Sequence, residues 1–163
     1  MPCKPDWNIG YTTREHLCLD LDNTSVTKVF NLIDMLMQNY PQLGNALVLE
    51  SSSGKLCEKW NYLVSGFLEF HVKRSNYHII FNNYVGYEFC CHVIETLAEL
   101  GVINKEYIRI REMRNDMTIR VSQTVNVEGV KQKPRIICLI INPFCEQKTA
   151  GIYRFLRLFK LCL

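Results

Sequence analysis

The apolar run Leu17-Cys18-Leu19-Asp20-Leu21-Asp22 passes through Asn23-Thr24-Ser25 straight into a helical repeat, and this junction constrains the fold most. Residues 16–22 are expected to form a buried strand. Residues 25–40 place Val26, Val29, Phe30, Ile33, Met37 and Tyr40 on one helical face, and Pro41 stops the helix. The two make a strand-helix unit. Side chains at i and i+2 share a face of a strand, so Asp20 and Asp22 are expected to project together from its C-terminal end. Carboxylates held close repel unless a cation lies between them, which makes the pair a candidate site for Mg²⁺ or Mn²⁺. The plainer alternative is a strand end followed by a helix cap, a common use of Asp and Asn.

A second strand is expected over 46–50, then the polar turn Ser51-Ser52-Ser53-Gly54 and an irregular insertion covering about 51–66. Phe67 to Val72 alternates weakly as a short strand. Lys73-Arg74-Ser75-Asn76 reads as a hairpin turn leading to the apolar strand 77–81. Residues 87–100 repeat Phe89, Cys90, Val93, Ile94, Leu97 and Leu100 at helical spacing and stop at Gly101. Tyr107, Ile108 and Ile110, then Ile119 and Val121, alternate around Asn115-Asp116 as two strands, and 136–141 is another. This order predicts an α+β domain: an RNA-recognition or ferredoxin-like β-α-β-β-α-β core, mainly antiparallel. Its helices would lie on one face of the sheet and leave the other open, with an additional C-terminal strand and helix. The helix is expected over about 150–162, with Arg154, Arg157 and Lys160 along one edge.

A chain of 163 residues that is 48% hydrophobic suffices for one domain, with its core at about 16–142. No apolar run is long enough to cross a membrane, and the first residues lack a signal-peptide core, so a cytoplasmic, intracellular protein with no membrane partner is expected. A net charge of +3 is mild, but Arg109, Arg111, Arg114, Arg120, Lys131, Lys133 and Arg135 crowd one third of the chain. They read as a basic stripe for nucleic acid or as a solvated strand face. Tyr77, Phe81, Tyr84 and Tyr107 are candidates for base stacking or for the core. The eight cysteines show no zinc-site spacing. Cys18, Cys90, Cys91 and Cys138 are expected to pack as small hydrophobes, while Cys57, Cys145 and Cys162 are available for pairing in an oxidising setting.

Neighbouring first and third strands would bring Arg74-Ser75-Asn76-Tyr77-His78 close to Asp20 and Asp22. Arg and His neutralise phosphate oxygens, and carboxylates supply the metal used in nucleotidyl transfer. With these elements the chain resembles the archaeo-eukaryotic primase superfamily. Leu19-Asp20-Leu21-Asp22 is similar to that family's Asp-x-Asp motif at a strand end. Ser75-Asn76-Tyr77-His78 resembles its Ser-x-His element with one extra residue, and Thr118-Ile119-Arg120-Val121-Ser122 resembles its later Arg-bearing strand. The resemblance implies a primase- or polymerase-like nucleotidyltransferase of replication that uses Mg²⁺ or Mn²⁺. Asp20, Asp22 and His78 would be catalytic, and Arg74, Ser75, His78 and Arg120 would bind the nucleotide. Asp20 and Asp22 would ligate the metal with Glu106 or Asp116 as the third carboxylate; Glu112 is a further candidate. Implied partners are a single-stranded template or primer-template, nucleoside triphosphates and a replication protein. Two alternatives are a non-catalytic nucleic-acid-binding accessory and a haloacid-dehalogenase-like phosphatase, whose first motif Asp20-Leu21-Asp22-Asn23-Thr24 also resembles.

Overall fold

In the computed structural model, the residues described are 10–52, 57–63, 67–120, 124–126, 129–131 and 134–145. After a short strand β1 (Gly10–Thr13), the chain runs through β2 (Cys18–Ser25) directly into α1 (Val26–Asn39). Ser25 ends the strand and caps the helix, its Oγ accepting from the Lys28 N–H at 3.3 Å. Val29, Leu32, Ile33, Leu36 and Met37 form the buried stripe of α1, so Leu32 and Leu36 replace the expected Val26 and Phe30 at its centre. A short 3-10 turn (Pro41–Leu43) leads into β3 (Ala46–Ser52).

The stretch expected to be irregular contains β4 (Cys57–Leu63), which pairs antiparallel with the first half of the 15-residue β5 (Phe67–Phe81). The expected turn at 73–76 is absent: Arg74 and Ser75 stand opposite Ser25 and Thr24, and Asn76 opposite Ser52. Strand continuity wins because both neighbouring strands bulge beside this polar run, and Asn76 ties the bulges down. Its Oδ1 accepts from the Asn23 N–H at 2.7 Å, and its carbonyl accepts from Ser51 Oγ at 3.2 Å.

Helix α2 (Tyr87–Glu99) forms where the repeat predicts one, burying Cys90, Val93, Ile94, Leu97 and Ala98 and ending before Gly101 at φ +72°, but Leu100, expected on its apolar face, follows the helix and is exposed. Residues 107–110, expected to be a strand, lie instead in α3 (Lys105–Arg114). Its ends explain the override. Asn104 Oδ1 accepts from the Glu106 N–H at 2.9 Å, and Asn115 closes the helix in the left-handed region at φ +56°. Then come β6 (Met117–Arg120), which pairs with β1, the small ladder of β7 (Thr124–Asn126) with β8 (Gly129–Lys131), and β9 (Arg135–Ile140). The expected C-terminal helix lies outside the described residues.

The architecture is α+β: a four-strand antiparallel sheet of order β2-β5-β3-β9 with three helices among the described residues. Since β2 and β3 both run antiparallel to β5 between them, β2-α1-β3 is a β-α-β unit split by β5. The first and third core strands are neighbours as expected. However, β2 lies at the end of the sheet path, and β9 pairs with β3 at the other end. An open sheet face is not found at the central strands, because Ile79, Ile80, Val48 and Leu49 alternate in direction and all are fully buried. Tyr77 and Phe81 are core residues for the same reason, whereas Tyr84 is exposed and lies 4.4 Å from the His16 ring. Cys18 and Cys90 are buried thiols, and Cys91, Cys138 and Cys145 are free and partly buried. Among the described residues no helix is long and apolar enough to cross a membrane.

Candidate functional site

The ladder places Asp20 of β2 directly opposite His78 of β5. Their side chains meet, with His78 Nε2 at 3.2 Å from Asp20 Oδ1. A carboxylate only accepts, so Nε2 carries the proton of this contact. The His78 side chain is 5% exposed and that of Asp20 36%, so the carboxylate reaches solvent and the imidazole does not. The other ring nitrogen, Nδ1, is buried without a hydrogen-bond partner. Beside them Tyr107 of α3 donates its hydroxyl to the Cys18 carbonyl at 2.7 Å. Burial, reinforced by the Cys18 thiol and the Asp20 carboxylate, pushes the Tyr107 pKa well above its ordinary range, which keeps the hydroxyl a fixed donor. The alternation around Tyr107 points to a strand; the Asn104 cap is the signal for the helix that delivers it.

Asp22 has different surroundings. Asp22 and Asn23 together face Asn76 in a β-bulge, with Asn23 in the left-handed region at φ +49°. The simple i, i+2 rule is interrupted there. Exposed Asp22 lines a cavity of about 490 Å³ whose lining does not include Asp20.

The remaining predicted residues are spread out. Arg74 is half-buried at the bulge, and Ser75 is fully buried, which removes its hydroxyl from a nucleotide arriving through solvent. Arg120 stands opposite Gly10 in the β1–β6 ladder, away from the central sheet path. Glu106 lies exposed in the first turn of α3, 3.7 Å from Arg109, and Asp116 follows the α3 cap half-buried. Among the described residues no group of three His, Cys, Asp or Glu side chains is placed to hold a metal. Asp20, turned to His78, and Asp22, lining a separate cavity, are therefore not shown as one donor set; both are carboxylates of the kind a hard cation such as Mg²⁺ takes.

The expected basic stripe divides. Arg109 and Arg111 lie on α3, one exposed and one 3% exposed, and Arg135 lies 3.6 Å from Glu50. Arg111 Nη2 lies 3.1 Å from Glu95 Oε1, while its Nε and Nη1 are buried without partners. Helical spacing, absent from the strand assignment, is what buries one of these charges and exposes the next. No family model, curated protein or solved structure matches the chain.

Proposed function

We propose that this chain is a metal-dependent nucleotidyltransferase of nucleic-acid replication, primase- or polymerase-like, on an RNA-recognition-type core. The observation that carries the reading is the pairing of Asp20 with His78, which joins the two separate sequence motifs at 3.2 Å. Bound Mg²⁺ or Mn²⁺, held by Asp20 and Asp22, would stabilise charge on the transferring phosphoryl group. His78 takes a different part from the one its motif suggests. Buried and bonded to Asp20, it positions that carboxylate rather than touching the triphosphate. Arg74, half-buried on the same strand and opposite Ser25, is the candidate phosphate contact, and Arg120 belongs to a template-side or nucleotide role only if its strand is brought to the site by substrate. Single-stranded template or primer-template and nucleoside triphosphates are the partners, with a replication protein as a further one.

A second reading, a non-catalytic nucleic-acid-binding accessory, is favoured by one observation: the bulge after Leu21 gives Asp20 and Asp22 different surroundings, Asp20 against His78 and Asp22 on a cavity that Asp20 does not line. The phosphatase alternative loses support, because every ladder of the central sheet is antiparallel and a doubly wound parallel sheet is not formed. Mn²⁺ binding followed by electron paramagnetic resonance separates the first two. The nucleotidyltransferase binds Mn²⁺ in the presence of a nucleoside triphosphate and loses it in Asp22→Asn, whereas the accessory binds single-stranded DNA equally well with and without the metal.

A further inference from the structure

The cavity that Asp22 lines lies between the β2 bulge, one flank of α1 and the turn after α2. Its volume of about 490 Å³ lies within the range of small-molecule sites. Lys28, Asn31, Leu32 and Met35 recur at helical spacing and all line it. Only Leu32 belongs to the buried stripe of α1; Met35 is 38% exposed, and Val102 across the cavity is 40% exposed. The hydrophobic core therefore does not account for Met35 or Val102, and both are large apolar groups left at the rim of a concave site.

We propose that this cavity is a nucleoside-binding site: Leu32, Met35 and Val102 take the flat face of a base, and Lys28 takes a phosphate. The proposal rests on the nucleotidyltransferase reading and names the part of its substrate that the carboxylates leave unassigned. A polarisable thioether against an aromatic ring is a favourable contact, and the amide of Asn31 supplies both a donor and an acceptor for a base edge. Lys28 carries the cation for a phosphate, and the Asp22 carboxylate accepts from a sugar hydroxyl or holds the phosphate's cation. A fatty acid would leave the Asp22 and Asn31 end unmatched. A free sugar phosphate would leave the apolar wall unused.

Saturation-transfer NMR with adenosine, AMP and ribose 5-phosphate, in EDTA, tests the assignment on the full chain. Adenosine and AMP are expected to bind, and ribose 5-phosphate to bind far more weakly. Met35→Glu and Val102→Asp alter exposed side chains and should abolish binding, while Met35→Leu should retain it. Lys28→Ala should weaken AMP about tenfold, the loss of one charge-assisted contact, and leave adenosine unchanged. Equal binding of ribose 5-phosphate and AMP, or AMP binding indifferent to Met35→Glu and Val102→Asp with unfolding midpoints unchanged, overturns the proposal. So does a wild-type chain that binds neither adenosine nor AMP. The cavity and the enzyme reading fail separately. Metal-free AMP binding that depends on Met35, in a chain with no nucleotide incorporation, upholds the cavity and sinks the enzyme; Asp22-dependent incorporation that survives Met35→Glu does the reverse.

Discussion

Removing the Asp20 carboxylate should cost more than removing its histidine partner, an asymmetry that follows from which group is buried. In Asp20→Ala, His78 keeps a 5% exposed ring and now has both nitrogens unpartnered, since Nδ1 already lacks a bond. Leaving a buried polar group unsatisfied costs about 1–3 kcal/mol. In a chain of 163 residues each kcal/mol lowers the thermal midpoint by about 2–4 °C. In His78→Leu the orphaned nitrogen disappears, and Asp20, 36% exposed, can be hydrated, so the net cost should stay below about 1 kcal/mol. When His78→Leu is already in place, adding Asp20→Ala should then be nearly neutral. The expected coupling in this double-mutant cycle is about 1–2 kcal/mol, read by urea unfolding at pH 7 with unchanged m-values. An Asp20→Ala cost that is the same in both backgrounds would refute the buried-imidazole argument.

Three other outcomes follow from the described contacts. His16 is buried with its Nδ1 donating to the Phe81 carbonyl at 3.1 Å, and burial is the main cause that lowers its pKa below the ordinary 6.5. The unfolded chain thus binds this proton more readily, so stability falls as pH drops through about 6.5 towards the folded value. The pH profile of urea midpoints should be steeper for wild type than for His16→Asn, and parallel profiles would count against it. Gly44 adopts φ +79°, and an added Cβ would overlap the Asn82 and Asn83 side chains; Asn82 Oδ1 is held by the Asn45 N–H at 2.8 Å. Gly44→Ala should therefore lose about 2–3 kcal/mol, and a loss under about 0.5 kcal/mol on thermal unfolding would show that the turn yields. Burial raises the Cys18 thiol strongly and pushes Cys90 up to about 12, so neither should react with Ellman's reagent at pH 8 until the chain is unfolded. Peptide mapping that finds either one labelled in the folded protein would contradict their placement.

Much of the framework was legible because it rests on local rules. The helix start after Asn23-Thr24-Ser25, the stop at Pro41, the 87–100 repeat and the apolar strand cores all signal themselves within a few residues. That the strand of Asp20 and the strand of His78 would be neighbours followed from the expected strand order; the register, which sets Asp20 opposite His78, did not. What escaped was decided by pairing across the sheet or by competition between local signals. Residues 73–76 look like a turn until their two bulged neighbours are present. Tyr107, Ile108 and Ile110 alternate as a strand would, yet Asn104 and Asn115 cap a helix in which Tyr107 and Ile108 pack on the core and Arg111, four after Tyr107, is buried. The separate surroundings of Asp20 and Asp22 depend on a bulge, and a bulge is a property of two strands in register, not of either one.

The most direct test is incorporation of labelled nucleotides on a single-stranded template, with and without primer, in Mg²⁺ and in Mn²⁺, comparing wild type with Asp22→Asn. Metal-dependent synthesis by the wild type and its loss in a variant with an unchanged unfolding midpoint is the predicted result. Synthesis that persists in Asp22→Asn, or its absence from a folded wild-type chain, would contradict the nucleotidyltransferase assignment.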